Sequence, residues 1–352
     1  MLLEQLKELT AARGVSGNEK DIRALLKTKA EALGAACKVD RIGNLIAVKD
    51  GGDAAAPTIL LDAHMDEVGL LVISAREDGL LRYQPVGGID PRVMVSKTVL
   101  VGDNNIPGVI GAKAIHLQDE GDRARVLGHD HLFIDIGAKE KKEAEGLCPP
   151  GTYVVFDSPL EPLGDGLVVG RALDDRVGCL SLLRALEHGY RGKLICAFTV
   201  QEEVGLRGAT VVGQSQEYDL GIALEGTACN DLGDVPVQEQ VTCVGQGVAL
   251  SFLDRASLAH PKLRAAIAAI ATEKGIPYQN KRGASGGNDA GALQRGTTPK
   301  PTAVLSVPCR YIHSPASVAA LSDVQSQIDL ICACLDALPG LWASIAAPQI
   351  SK

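Results

Sequence analysis

Apolar residues recur at helical spacing near the start of the chain, and strand-like runs follow them. Residues 2–13 and 18–33 carry this spacing and predict two helices. The second helix begins at the Ser-Gly-Asn stretch 16–18, whose residue types favour a helix start. Residues 44–48 and 58–63 are short apolar runs and predict strands. Helices and strands are therefore expected together from the beginning of the chain.

The pattern changes between about residues 67 and 165, where short β-like runs are interrupted by Gly, Pro, Asp and Asn. Examples of these runs are GLLVISA, KTVLVG, PGVIGA, HLFIDIG and TYVVFD. Six short strands with frequent turn signals predict a small barrel-like or sandwich-like unit.

From residue 171 the chain returns to alternating helices and strands. The predicted elements are a helix at 175–188, strands at 194–200 and 220–225, a helix at 261–274, a strand at 302–307 and a final helix near 322–337. Strands that alternate with helices indicate an α/β fold whose sheet is mixed, mostly parallel and covered by helices.

The β-rich unit is predicted to be an insertion in the α/β domain. Candidate metal ligands lie on both sides of it in the sequence and must meet at one site. We therefore expect a discontinuous catalytic domain, residues 1–66 and 166–352, and an inserted β-rich domain, residues 67–165.

Composition narrows the possible partners and the compartment. The net charge of -8 makes nucleic acid and anionic membranes unexpected partners. The first 14 residues mix charged with apolar side chains and do not resemble a signal peptide, and no run of 18 apolar residues occurs. The nine cysteines form no Cys-x-x-Cys pair, which argues against a disulfide framework and favours a reducing cytoplasm.

Five segments carry metal-binding residue types at predicted strand ends or at a helix start. They contain His64, Asp174, Glu203, Glu225 and His313. Each segment alone has an ordinary explanation, such as a structural histidine, a helix cap or a solvated turn. Sites in open α/β sheets form at the carboxyl ends of strands, so the five together favour a metal site over five separate coincidences.

The charges of these residues favour two ions over one. Asp174, Glu203 and Glu225 contribute three negative charges, which two divalent cations and a bridging hydroxide would neutralise. Histidine and carboxylate ligands without thiolates suit zinc or cobalt, with manganese as a further candidate, in a catalytic site.

Ordered motifs over nearly the whole chain make it resemble the tetrahedral aminopeptidases, a di-metal family that also includes glutamyl aminopeptidases and proteins named endoglucanases. The motifs are His64-x-Asp66-Glu67-Val68-Gly69, Gly108–Gly111, Leu132–Gly137, Ala172–Arg176, Glu202-Glu203-x-Gly205, Gly286–Ala290 and Tyr311–Pro315.

The resemblance implies a zinc-peptidase type of fold and a role for each site residue. Asp174 would bridge two metal ions, His64 and Glu225 would complete one, and Glu203 and His313 the other. Glu202 would be the general base and would take a proton from the water that bridges the two metal ions. Asp66 would orient His64. The expected activity is removal of N-terminal residues from peptides.

Two positions depart from the family pattern. Many relatives carry Asp at the position of Glu225 and Glu at that of Ser317.

The alternatives to an aminopeptidase are a carboxypeptidase or deacylase of the same di-metal type, a glycosidase and a non-enzymatic metal scaffold. The single Trp in the chain speaks against sugar-binding platforms. The resemblance also implies a homo-oligomer, a tetrahedral dodecamer built from dimers that join through the insert.

Overall fold

The computed structural model describes residues 2–283 and 286–347. Met1 and residues 284–285 and 348–352, which fall within the predicted catalytic domain, lie outside the described residues. The helices are α1 (Leu2–Ala11), α2 (Lys20–Ala32), α3 (Glu120–Ala124), α4 (Lys141–Leu147), α5 (Leu173–His188), α6 (Arg207–Ser215), α7 (Pro261–Lys274), α8 (Ala290–Gln294) and α9 (Leu321–Ala346).

The strands are numbered in chain order. They are β1 (Ala36–Val39), β2 (Leu45–Asp50), β3 (Ile59–His64), β4 (Gly69–Ala75), β5 (Leu81–Val86), β6 (Thr98–Val101), β7 (Ile106–Ala112), β8 (Leu132–Asp135), β9 (Tyr153–Phe156), β10 (Glu161–Leu163), β11 (Leu167–Gly170), β12 (Lys193–Thr199), β13 (Leu220–Cys229), β14 (Val248–Leu250), β15 (Tyr278–Asn280), β16 (Thr302–Arg310) and β17 (Ser317–Ala320).

The larger sheet has a parallel centre and antiparallel flanks. Its order is β1-β2-β12-β3-β13-β16-β17-β11-β10, and β14 joins β16 and β15. Strands β12, β3, β13 and β16 run parallel, whereas the outer strands pair antiparallel. Helix α5 packs on β3 and β13. The predicted helix-covered, mixed α/β sheet is confirmed.

The segment between β3 and β10 forms a closed six-stranded barrel in the order β4-β5-β8-β7-β6-β9. Leu70, Ile110 and Phe156 belong to its apolar core, which is separate from the core under the larger sheet. The barrel closes because β4, its first strand, pairs antiparallel with β9, its last. The predicted barrel-like unit is confirmed, while the domain boundaries at 66/67 and 165/166 stay a prediction.

Two strands near the site extend beyond their predicted ends. The predicted strand 220–225 continues to Cys229, and the predicted strand 302–307 continues to Arg310. The extra residues pair with each other, from Gly226 with Val307 to Cys229 with Arg310. Backbone pairing between distant segments therefore prolongs both strands past the apolar runs that identified them.

Helix α9 spans Leu321–Ala346 and is therefore longer than the predicted helix near 322–337. Among the helices of the described residues, α9 alone is long and apolar enough to cross a membrane, by length and composition. The core helix of a globular fold passes the same test, and α9 packs against α5 and α7 with Leu330 and Ile331 buried. Its apolar face therefore has a partner within the fold.

Candidate active site

The parallel strands bring the predicted site residues to one edge of the sheet. His64 is the last residue of β3 and pairs with Thr199, the last residue of β12. Glu202 and Glu203 follow β12 in a turn. Glu225 lies inside β13 rather than at its end, where it pairs with Ser306. Carboxyl ends of neighbouring parallel strands share an edge, so these side chains converge.

Asp174 lies between the two histidines. Its Oδ1 is 3.2 Å from His64 Nε2, and its Oδ2 is 3.5 Å from His313 Nε2. Asp174 and Asp175 open α5 with non-helical backbone angles, so the regular helix begins after them. This irregular start aims the Asp174 carboxylate across the sheet edge, with one oxygen toward each imidazole.

The other two carboxylates complete two sets of ligand atoms. Glu225 Oε2 is 3.7 Å from His64 Nε2, and Glu203 Oε2 is 3.3 Å from His313 Nε2. One set is His64, Asp174 and Glu225, and the other is Asp174, Glu203 and His313, with the ligand atoms of each within 4.8 Å of one another. The five residues predicted as metal ligands therefore lie together.

Glu202 approaches the cluster without belonging to either of these two sets. Its Oε2 is 4.0 Å from His64 Nε2, and it forms a third group with His64 and Glu203. Gln201, the residue before it, has a left-handed φ of 57°, an uncommon conformation for a residue with a side chain. The turn therefore directs both consecutive glutamates inward.

Asp66 holds this turn. Its Oδ1 accepts the backbone N–H of Glu202 at 3.0 Å, and its Oδ2 accepts that of Glu203 at 3.3 Å and the Ser16 hydroxyl at 2.6 Å. His64 Nδ1 is 3.1 Å from the Asp66 backbone oxygen and 3.7 Å from the carboxylate. The side chain of Asp66 thus contacts the glutamate turn more closely than the imidazole.

Burial raises the pKa of the clustered carboxyl groups. Loss of solvent raises the pKa of Glu203 to about 7 and those of Glu202 and Glu225 well above their ordinary value. The charges of Asp289 and Asp175 add to this effect for Glu202 and Glu225 respectively. The protein supplies too little positive charge to keep these groups ionised together, so a bound cation suits the site.

The pKa values of the two histidines are also raised, because carboxylates surround them. Burial lowers the pKa of each, but hydrogen bonds to Asp174 and the charges of the surrounding carboxylates together outweigh it, raising the pKa of His313 to about 9 and that of His64 well above its usual value. Burial raises the pKa of Asp174, but its hydrogen bonds with both histidines and their charges together lower it more, for a net decrease. Divalent cations would satisfy the same carboxylates with neutral imidazoles, the form in which histidine binds metals.

Further buried carboxylates lie behind the cluster. Asp62, Asp175 and Asp289 are fully buried, and burial raises the pKa of each. Asp289 accepts the Thr199 hydroxyl at 2.6 Å, and its backbone N–H donates to Glu225 Oε1 at 3.3 Å. One Glu225 oxygen is thus held from behind while the other faces His64. Asp62 lies within an apolar run, and nothing in the sequence distinguished it.

A cavity of about 240 Å³ opens beside the cluster. Its lining includes Gly286, Gly287 and Asn288 from the glycine-rich segment, and Lys281 just before it. Lys281 was missed by the sequence reasoning, because a lysine in a loop is usually solvated and its burial depends on distant residues. The cavity gives a ligand access to Glu202 and both histidines.

The barrel also reaches the site. A Cβ added to Gly87 would lie 3.4 Å from Glu203 Cβ, and one added to Gly88 would lie 3.8 Å from His313 Nδ1. Gly87 has a φ of 86°, which favours glycine. The loop after β5 therefore forms a wall beside Glu203 and His313, so the inserted unit contributes to the shape of the site.

Ser317, the second departure from the family pattern, lies outside the cavity lining. It begins β17, is buried, and its hydroxyl donates to the Gly170 oxygen at 3.4 Å. Its position in the sheet gives it a structural contact with the strand that leads to Asp174.

Comparison with known proteins yields consistent matches. The profile of the M42 glutamyl aminopeptidase family matches residues 43–330. The lysyl aminopeptidase of Pyrococcus furiosus is 31% identical, with 95% of this chain and 97% of that protein covered. The glutamyl aminopeptidase of Lactococcus lactis is 30% identical, with 92% of each covered.

Solved structures match over the same extent. An aminopeptidase from the archaeon Desulfurococcus kamchatkensis superposes with a TM-score of 0.93 at 32% identity, covering 99% of each chain. The TET1 peptidase of Pyrococcus horikoshii superposes with a TM-score of 0.84 at 36% identity, covering 95% of this chain and 99% of that one. That peptidase can assemble into a tetrahedron or a large octahedral shell.

Proposed function

Because this chain belongs to the M42 glutamyl aminopeptidase family and is a metal-dependent aminopeptidase, we propose that it cleaves N-terminal residues from peptides at the cluster around Asp174. The observation that carries this proposal is the position of the two Asp174 oxygens, each within 3.5 Å of a different imidazole. A carboxylate between two histidines is suited to bridge two ions.

Two divalent ions are proposed, with zinc or cobalt as the first candidates and manganese as the third. His64 and Glu225 would share one ion with Asp174, and Glu203 and His313 would share the other. The donor set supports this assignment, because imidazole nitrogens and carboxylate oxygens without thiolates suit these metals. When bound, the ions would polarise the scissile carbonyl and lower the pKa of a bound water to about 7.

Glu202 is proposed as the general base. Its side chain lies in the cavity lining near His64, and the two proposed ligand sets do not require it. It would take a proton from the attacking water and deliver it to the leaving amine. Asp66, through its hydrogen bonds to the Glu202 and Glu203 backbone, would keep the base at a constant position.

The acidic cluster favours a substrate with a free amino terminus. A free α-amino group can bind a metal ion through its lone pair and donate hydrogen bonds to the carboxylates around it, whereas an acylated nitrogen has lost that basic lone pair. A glycosidase would need a sugar platform. Among the described residues that line the cavity, none is Phe, Tyr or Trp.

Chromogenic substrates test this proposal. The metal-loaded protein should hydrolyse amino-acid anilides with a free α-amino group and leave N-acylated amino acids intact. Chelation should abolish the activity, and zinc, cobalt or manganese should restore it. Hydrolysis of the acylated compounds in preference to the anilides would instead identify a deacylase or carboxypeptidase, and chelator-insensitive cleavage of cellulose would identify a glycosidase.

Metal content tests the assignment of Glu225. The saturated wild-type protein should hold two ions per chain, and Glu225→Ala should hold one, because one ligand set loses a carboxylate. Glu225→Asp is the matched control, since it retains the charge and should retain both ions with partial activity. Elemental analysis of protein dialysed against each metal measures the stoichiometry. Two ions in the Ala variant would remove Glu225 from the ligand set.

Assembly and location complete the proposal. The related TET1 peptidase forms closed shells, and we propose that this chain also forms a homo-oligomer, a tetrahedral dodecamer of dimers joined through the barrel. A closed shell would admit only small or unfolded peptides, which suits a cytoplasmic enzyme of broad specificity. Light scattering measures the mass, and a stable monomer would contradict the assembly.

A further inference from the structure

His129 connects two parts of the inserted barrel that are far apart in the sequence. Its Nε2 is 2.9 Å from the backbone oxygen of Ile89, 40 positions away, and its Nδ1 is 3.3 Å from the hydroxyl of Tyr83. The Tyr83 ring also meets the imidazole edge-on, with the ring centres 5.8 Å apart. Tyr83 lies on β5, and Ile89 lies in the loop that follows this strand. The histidine therefore fastens the loop to the strand from which it departs.

The two partners determine which ring nitrogen of His129 carries the proton. A carbonyl oxygen only accepts hydrogen bonds, so Nε2 must donate its N–H to Ile89. Burial raises the pKa of the Tyr83 phenol to about 12, so the hydroxyl keeps its proton and can donate it to Nδ1. The neutral imidazole thus uses both nitrogens within the barrel. Neither nitrogen is left to bind a metal ion together with His131, as the His-Asp-His pattern of residues 129–131 would otherwise suggest.

The loop held by His129 continues to the metal-ligand cluster. Gly87 and Gly88 directly precede the carbonyl that accepts the imidazole N–H. A Cβ added to Gly87 would lie 3.4 Å from Glu203 Cβ, and one added to Gly88 would lie 3.8 Å from His313 Nδ1. The two glycines are therefore in contact with the pair of ligands proposed to hold one ion with the bridging aspartate.

Consecutive glycines give this loop little stiffness of its own. Glycine loses more conformational freedom on folding than any other residue, so an ordered Gly-Gly pair needs contacts that hold it in place. Within the part of the chain that the structure describes, His129 is the one side chain that makes a hydrogen bond to residues 87–89. The buried side chain of Ile89 belongs to the barrel core and provides a second anchor. Loss of the His129 bond should therefore loosen the glycines while the barrel core stays packed.

His313 depends on this loop more than the other histidine of the cluster does. Its side chain is 41% exposed, whereas that of His64 is 1% exposed. His64 Nδ1 lies 3.1 Å from the backbone oxygen of Asp66, but the position beside His313 Nδ1 belongs to Gly88. The surroundings of the second ring nitrogen orient a metal-binding histidine. The placement of Gly88 thus affects how the His313 imidazole presents Nε2 to the cluster.

We propose that His129 is a positioning residue for the ion held by Glu203 and His313. The proposal rests on the two-ion assignment of the proposed function. By holding the carbonyl that follows them, the imidazole keeps Gly87 and Gly88 against this ligand pair and limits the movement of His313. The inserted barrel thus affects metal affinity at one of the two ion positions, although the five proposed ligands all lie outside it.

Two amide variants test whether this hydrogen bond holds the loop. The side-chain nitrogen of Gln can take the place of histidine Nε2, and that of Asn the place of Nδ1, so His129→Gln should keep the bond and His129→Asn should lose it. In the metal-saturated, full-length protein, hydrogen exchange at residues 87–90 should be roughly 2- to 12-fold faster in His129→Asn, the value of one hydrogen bond, and close to the wild type in His129→Gln. His131→Asn is the matched control, because that side chain is 46% exposed, and it should exchange like the wild type. Equal exchange in all four proteins would overturn the role of His129.

Metal affinity in two single-ion backgrounds tests the connection to the ligand pair. Glu225→Ala should retain the ion of Glu203 and His313, and His313→Ala should retain the other ion. Adding His129→Asn should raise the dissociation constant of the remaining ion by roughly 2- to 12-fold in the first background and leave it unchanged in the second. Competition with a chromogenic chelator measures both constants. An equal rise in both backgrounds would indicate a general loss of structure and would overturn the proposal.

Failure of the proposed function gives a different result from failure of the positioning role. If the saturated wild type holds one ion, the two-ion assignment fails and the positioning role fails with it. If the wild type holds two ions and His129→Asn exchanges faster at residues 87–90 but binds the ion of Glu203 and His313 as tightly as before, only the positioning role is refuted. Weaker binding of that ion in His129→Asn, with wild-type affinity in His129→Gln, would support it.

Discussion

Glu202→Gln should lower kcat by about 10²–10⁴-fold, the range that a general base contributes, with both metal ions still bound. The amide has the shape of the carboxylate but cannot accept the proton of the attacking water. The backbone of the variant should stay in place, because Asp66 holds the Glu202 and Glu203 N–H groups whatever the side chain at 202.

Metal analysis decides between two roles for Glu202. It groups with His64 and Glu203 as well as facing the cavity, so a ligand role would show as a lost ion. Glu217→Gln, at an exposed position before β13, provides the matched control and should retain wild-type turnover. Turnover close to the wild type in Glu202→Gln would exclude it as the base, and a stoichiometry below that of the wild type would make it a ligand.

Glu67→Ala should destabilise the protein by about 3–5 kcal/mol, the loss expected when one member of a buried ion pair is removed. Glu67 is 2% exposed. Its oxygens accept Arg171 Nη1 at 2.5 Å, Arg176 Nη2 at 3.3 Å and the Gly14 N–H at 3.0 Å. Without the carboxylate, two buried guanidinium groups lose their counter-charge.

The loss should extend to the active site. Glu67 follows Asp66 in sequence, and Arg176 follows Asp174 and Asp175, so this buried cluster joins two segments that carry site residues. Arg176 also donates to backbone oxygens at the end of α1, including that of Ala12 at 2.8 Å. We therefore expect reduced metal affinity together with reduced stability.

Chemical unfolding monitored by circular dichroism measures the effect under fixed metal and protein concentrations. Glu31→Ala is the matched control, because it removes an exposed glutamate paired with Lys27 four residues earlier on α2. Such exposed helical pairs contribute about 0.3–0.5 kcal/mol. If Glu67→Ala were no less stable than Glu31→Ala, the buried cluster would contribute no net stability.

Local patterns in the sequence determined the elements and the list of candidate ligands. The helix 261–274 agrees with α7 at both ends, because a proline at its first position and a glycine after its last residue bound the run there. The barrel was foreseen from short strands separated by turn residues. His64, Asp174, Glu203, Glu225 and His313 were found because their polar groups interrupt or follow apolar runs, and the structure brings all five together.

The tertiary structure alone decided the contacts that act across the chain. The Asp66 carboxylate accepts hydrogen bonds directly from the Glu202–Glu203 turn, which lies more than 130 positions away in the sequence. Glu225 lies inside its strand because β13 and β16 pair beyond it. The loop at Gly87 and Gly88 reaches Glu203 and His313 from the barrel, a contact that the turn signals of the insert could not reveal.

Lys281 shows why the sequence predicts some features of the protein whereas only the tertiary structure decides others. Its immediate neighbours in sequence are those of a solvated loop, whereas its burial comes from distant strands and from the cavity that Asp174, Glu225 and Asn288 share with it. Periodicity and capping signals reflect interactions between residues that are only a few positions apart in the sequence. Desolvation and charge pairing depend on which segments meet in space, so the charge of a residue is known from the sequence, but its partner and its effect are set by the fold.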